Sequence, residues 1–355
     1  MLIKQGYWVK NLYLQNRKSP ITYTYGGAHS IKVSLKHASK KKSPRNNGDD
    51  KSICHAWGSF KPSEKIKKYF VSISNNELPS EMSNDPEVLE YFNDTAKTVE
   101  RIHIKYFPQP FQDYLRNVRT ELRDIIKRTV DIFMWRCGIH GGHNPLSGYG
   151  MSFSFDGKIW YGEPPGATVS FSSFAIHTPP EQVAIIIRKL IKSKHDQPLG
   201  HQMFREAQSL RTSNPRISII VAMSALEVAA KECISKLNPE SIWLVENLPS
   251  PDVRKLINEY IPRLLCKTTL EGILPLPESL NTSIRKGVTV RNRIIHLGHQ
   301  APSGESTDEM LSAIQEVIWI LDYCCGYDWA LRFISRNSAD HIMSKIKTSI
   351  NNPIQ

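Results

Sequence analysis

Two periods of apolar residues divide the chain. Up to about residue 178, short runs rich in β-branched and aromatic residues alternate with turn residues, and strands are expected at 21–25, 31–35, 56–60 and 69–73. Residues 152–161 predict a hairpin with Asp156-Gly157 as a two-residue turn, and 167–176 a further strand. Helices are expected at 86–104 and at 112–135, where Leu115, Val118, Leu122, Ile125, Ile126 and Phe133 recur at core spacing. After Thr178-Pro179-Pro180 the pattern becomes helical throughout. Its best-marked helix opens with Asn214 as cap and Pro215 in the first turn, then repeats apolar residues from Ile219 to Leu237. Further helices are expected at 181–193, 202–211, 252–265, 278–297, 306–328 and 340–346. The expected fold is therefore α+β, with a mixed α+β domain over 1–178 and an all-helical bundle over 179–355.

Composition adds a bias in charge. The 355 residues are 40% hydrophobic, enough for two packed cores. A net charge of +12 favours polyanionic partners, for which RNA, DNA and an anionic membrane surface all qualify. The surplus is densest in residues 1–51, where eleven Lys or Arg face only Asp49 and Asp50, and Lys40-Lys41-Lys42 is read as a solvated loop able to bind RNA. Six cysteines without regular spacing suit a reducing cytosol. No window approaches the roughly 20 apolar residues of a membrane span, and the first residues lack the charged start and apolar run of a signal peptide. The expected location is cytoplasmic, with no membrane association.

The most informative stretch is 290–298, where Arg291-Asn292 precedes His296 by five positions on a helix ending near Gly298. Arginine is a permanently charged phosphate donor, and histidine moves protons near neutral pH. The negative end of the helix dipole favours a charged imidazole at His296. Three segments together resemble the HEPN (higher eukaryotes and prokaryotes nucleotide-binding) superfamily, and within it the Apea-like group. They are the short helix Phe204-Arg205-Glu206-Ala207-Gln208-Ser209-Leu210, the Ala-Leu-Glu helix at Ala222-Met223-Ser224-Ala225-Leu226-Glu227, and the Arg-x4-His signature at Arg291 and His296, with Asn292 as its polar second residue.

The likeness covers about residues 180–350. It implies a metal-independent endoribonuclease without cofactor, acting as a homodimer on RNA in phage defence or a toxin system, with an antitoxin or activator protein as a further partner. Arg291 and His296 would be catalytic, Asn292 and Glu227 supporting, and Arg293 a phosphate contact alongside Lys40, Lys41 and Lys42. Members that have lost activity imply the alternative of a silent module binding RNA or another protein.

Plainer readings exist for the same residues. Arg291 can be a salt-bridged helix-end arginine, His296 a histidine bonded to a carbonyl, and Glu227 an exposed glutamate of an amphipathic helix. Arg293 and His299 form a second pair at comparable spacing. Cys137-x2-His140-x2-His143 has metal-ligand spacing that Cys54-His55 could complete, but its glycines favour a tight loop, so no metal is expected. Trp57, Trp160 and Tyr161 could stack bases, although in strands such rings more often fill a core.

Overall fold

A computed structural model describes residues 1–9, 20–26, 29–38, 51–139, 145–165, 181–193, 195–247, 251–266 and 268–351. The described residues fall into two units, Met1–Ile139 with Asn144–Asp196, and a second built on Gln197–Gln355. The division at Asp196 lies later than the change in composition after Thr178, because the helix that follows it packs into the first unit.

The first unit holds one antiparallel sheet of β1 (Leu2–Val9), β2 (Ile21–Thr24), β3 (Lys32–Ala38), β4 (Lys51–Ser59), β5 (Leu146–Ser154) and β6 (Tyr161–Gly162), in the order β2-β3-β4-β1-β5-β6. Its helices are α1 (Glu64–Asn75), the short α2 (Ser80–Ser83) and α3 (Pro86–Tyr91), the long α4 (Gln109–Arg136) and α5 (Glu181–Lys192). α4 lies against β1, β3 and β4. Its buried Phe111, Leu115, Val118, Leu122 and Ile126 recur every three or four residues, which gives one continuous apolar face. Tyr25 Oη and Thr129 Oγ1 share a hydrogen bond of 2.6 Å near its far end. α5 buries Val183, Ala184, Ile187 and Ile191 and packs on α4.

Several local expectations are corrected. Residues 69–73 lie in α1, whose buried Ile66, Tyr69, Phe70 and Ile73 have helical spacing; Phe70 packs on Phe153 at 4.7 Å between ring centroids. β1, which sequence reading did not assign, is the strand between β4 and β5. Helix 86–104 stops at Tyr91 and continues as one wide turn and two tight ones, with Lys97 in left-handed backbone. The hairpin forms, but Phe153 pairs with Tyr161, leaving a loop longer than two residues in which Asp156 accepts hydrogen bonds from the amides of Lys158 and Ile159. Tyr161 stacks on Phe153 and Lys4 Nζ sits 4.1 Å from the Trp160 ring, so both aromatics have partners within the sheet. The expected strand at 167–176 lies outside the described residues.

The second unit is helical: α6 (Leu199–Leu210), α7 (Pro215–Leu237), α8 (Ile242–Asn247), α9 (Val253–Lys255), α10 (Ile261–Leu265), α11 (Glu278–Leu297), α12 (Gly304–Cys324) and α13 (Arg336–Asn351). Asn214 caps α7, its side chain accepting from the Ile217 amide at 3.3 Å, with Pro215 in the first turn as expected. α7 is packed by α6, α8, α9, α10, α11 and α12. The expected helix 252–265 is interrupted between α9 and α10 by a π-turn at Leu256–Tyr260. Pro262 follows that turn; it lacks an N–H and its ring would crowd the carbonyl four residues earlier, which a wider turn relieves.

Two measurements check this packing. A Cβ on Gly200 would stand 2.7 Å from Ala229 Cβ and 3.1 Å from the Ala225 carbonyl. Gly200→Ala is expected to destabilise the second unit by about 1–3 kcal/mol in chemical denaturation, the usual cost of overpacking. In the first unit, burial, reinforced by the Lys36 and Lys4 charges, pushes the His55 imidazole from 6.5 down to about 4. The unfolded chain then binds a proton that the folded chain refuses. That contribution is whole above pH 6.5 and is lost as pH falls from 6.5 towards 4. Stability should decline across this window less steeply in His55→Gln than in the wild type.

Candidate functional site

The candidate site is built on the side-by-side packing of α7 and α11. α11 buries Leu280, Ile284, Gly287 and Ile294. Arg291 falls on the same stripe, four residues after Gly287 and three before Ile294, so its stem is directed towards α7. On α7, Met223 and Glu227 are likewise four apart. A Cβ on Gly287 would lie 2.8 Å from Met223 Sδ, and one turn further on Arg291 Nη2 lies 3.8 Å from Glu227 Oε1.

Arg291 is 30% exposed and Glu227 33%. Asn292 Oδ1 accepts a hydrogen bond from Arg291 Nη1 at 3.1 Å, while Arg291 Nε is buried without a hydrogen-bond partner among the described residues. The fold therefore gathers Arg291, Asn292 and Glu227, and presents a guanidinium with one edge held and donor capacity to spare.

His296 is placed elsewhere. Nine residues past Gly287, at 100° per residue, it lies half a turn away from the face that meets α7. It is exposed and has no hydrogen bond or ion pair among the described residues. Its neighbours Ile295 and Leu297 are also uncovered, at 45% and 68% exposure. Gly298, left-handed as the sequence required, closes the helix, and its amide donates to the Ile294 carbonyl at 3.2 Å. Arg293 and His299 are exposed and make no ion pair among the described residues. Lys40, Lys41 and Lys42 lie outside the described residues.

Sequence reading missed the buried polar cluster of the same unit. His201 Nε2 and Asp322 Oδ2 are 3.0 Å apart, both nearly buried, and join α6 to α12. Glu232 accepts from the amides of Leu199 at 2.7 Å and Gly200 at 3.1 Å, capping α6; burial nevertheless raises its pKa. A hydrogen bond with Cys325, then burial, raise the Cys233 thiol, and burial raises that of Cys324. Protonated thiols are poor nucleophiles, so Cys233 and Cys324 serve packing between helices. The cluster's members are scattered over three segments and share no spacing that a linear reading could detect.

The alternative metal site loses part of its ligand set. Cys54 and His55 are successive residues of β4, so their side chains point to opposite faces of the sheet. Burial pushes the Cys137 thiol up to about 12. His140 and His143 lie outside the described residues. No group of three or more potential metal-ligating side chains occurs among the described residues, and no described helix is long and apolar enough to cross a membrane.

Comparison of the chain with family models, curated proteins and solved structures finds no match.

The Arg291–Glu227 and His201–Asp322 contacts differ in what they hold. Glu227→Gln should change stability by less than about 1 kcal/mol, because the pair is long and partly solvated. Asp322→Ala should cost about 1–3 kcal/mol, since it removes the carboxylate that bonds the buried His201 imidazole. Thermal denaturation of both variants would separate them.

Proposed function

We propose that the chain is a metal-independent endoribonuclease of HEPN type, acting in the cytoplasm as a homodimer. The observation that carries this reading is the division of labour on α11: Arg291 is fixed against Glu227 and Asn292, while His296 stands half a turn away, exposed between two uncovered apolar residues. Residues five apart on a helix are separated by about 140°, so one chain does not converge them. A second copy packed by two-fold symmetry on this end of α11 would cover Ile295 and Leu297 and bring the histidine of one chain towards the arginine of the other.

In such a cleft His296 would take the proton of an RNA 2′-hydroxyl as that oxygen attacks the adjacent phosphorus. Arg291 would stabilise the crowded anionic phosphorane, exchanging its contact with Glu227 for phosphate oxygens. The histidine of the other chain would protonate the departing 5′-oxygen. The products are a 2′,3′-cyclic phosphate and a free 5′-hydroxyl, and DNA, without the 2′-hydroxyl, is not cut. Arg293, exposed two residues on, and the basic run Lys40-Lys41-Lys42 would hold the backbone, in keeping with the net charge of +12. The HEPN resemblance further suggests phage defence or a toxin system, with an antitoxin or activator protein controlling the cleft.

A second reading has its own support: with Arg291 already engaged by Glu227 and His296 directed away, the unit could bind RNA or a protein without cutting. Purified protein incubated with total RNA in excess chelator decides between them. The nuclease reading expects discrete fragments ending in cyclic phosphate, with rates at least about 100-fold lower in Arg291→Ala and His296→Ala. Fragments that persist in both variants, or wild-type protein that retains RNA without cleaving it, would overturn it.

A further inference from the structure

The second unit contains a solvent-open pocket of about 420 Å³ separate from the Arg291 site, lined by α7, α8, α9, α10 and the π-turn between the last two. Its size is that of a small-molecule pocket. The walls are aliphatic: Ile234 and Leu256 are buried at the back, Val245 is half-buried, and Leu244 stands at the mouth, 49% exposed. Tyr260 is the one aromatic ring in the lining, and no asparagine or glutamine amide is present to read a nucleobase edge. Three cations, Lys231, Lys255 and Arg263, stand at the rim against the single carboxylate of Glu259. None of these cations makes an ion pair among the described residues. The π-turn contributes Leu256, Glu259 and Tyr260 together, and such turns concentrate at functional sites.

An aliphatic interior ringed by unpaired positive charge is complementary to a molecule with a hydrocarbon body and an anionic head. We propose that this cavity is a binding site for a free fatty acid of medium chain length, its tail against Ile234, Val245 and Leu256 and its carboxylate among Lys231, Lys255 and Arg263. Burial of the tail supplies affinity, and the rim sets orientation and selects charge. Nothing in this depends on RNA cleavage.

The test is titration calorimetry of the full chain with dodecanoate, kept below its aggregation concentration, beside dodecanol and acetate. Saturable one-to-one binding of dodecanoate is expected, at least tenfold weaker binding of dodecanol, and none of acetate. The double variant Lys255→Glu/Arg263→Glu changes exposed residues and should keep the wild-type melting temperature while losing at least tenfold in dodecanoate affinity. Leu256→Trp should block the tail; if it fails to fold, Val245→Trp at the half-buried wall serves instead. Absent or unsaturable binding, equal binding of dodecanol, or affinity unchanged by both the rim and the blocking variants would overturn the proposal.

Discussion

The close approach of α6 and α11 to α7 is the constraint from which the helical unit follows. α7 presents Ala222, Ala225, Ala229 and Ala230 among its buried residues, and glycines oppose it at two places, Gly200 on α6 and Gly287 on α11. A side chain at either glycine would meet atoms of α7 at less than 3.0 Å. Short interaxial distance does two things here. It lets the Glu232 carboxylate reach back to the first amides of α6, and it brings Arg291 within ion-pairing range of Glu227 one turn beyond Gly287. The candidate site is thus a consequence of a packing register, since sliding α11 by one turn would set a different residue against Glu227.

Electrostatics in this unit divides by depth. Inside, His201 and Asp322 pair across 3.0 Å, and neighbouring thiols are held protonated by burial and by one another. Such groups fix which helices meet, because leaving any one unpaired in a low dielectric costs more than its hydrogen bond contributes. Nearer the surface, Arg291 has a longer contact and spare donors, and Lys231, Lys255 and Arg263 have no carboxylate partner among the described residues. The deep pairs are spent on the fold. The peripheral cations are those still able to meet an anion, whether phosphate at one place or carboxylate at another.

Much of this was legible in the linear pattern, for identifiable reasons. Helices α7 and α11 were readable because caps and stops coincide with periodicity: Asn214 and Pro215 open one, Gly298 closes the other. Residues 69–73 misled because an apolar, aromatic run of five is too short to distinguish period two from period 3.6; the decisive Ile66 lies outside it. β1 escaped because its glycine and polar residues mask the alternation. The helix 252–265 was sound in extent, but a π-turn depends on how one proline's ring meets the preceding carbonyl, which composition does not encode.

What the sequence by itself determined is everything local: the two-part α+β organisation, the ends of the long helices, the excess of positive charge, and the placement of Arg291, Asn292 and His296 on one helix. Their 140° separation was implicit in the spacing. Which side of that helix would be covered was decided only in three dimensions, when Gly287 met Met223 and thereby turned Arg291 towards Glu227 and His296 towards solvent. The assignment of α5 to the first unit, the His201–Asp322 bond across 121 positions, and the cavity beneath the π-turn were decided in the same way. Period and capping act over a few residues, whereas burial and pairing depend on surfaces that chain-distant elements bring together.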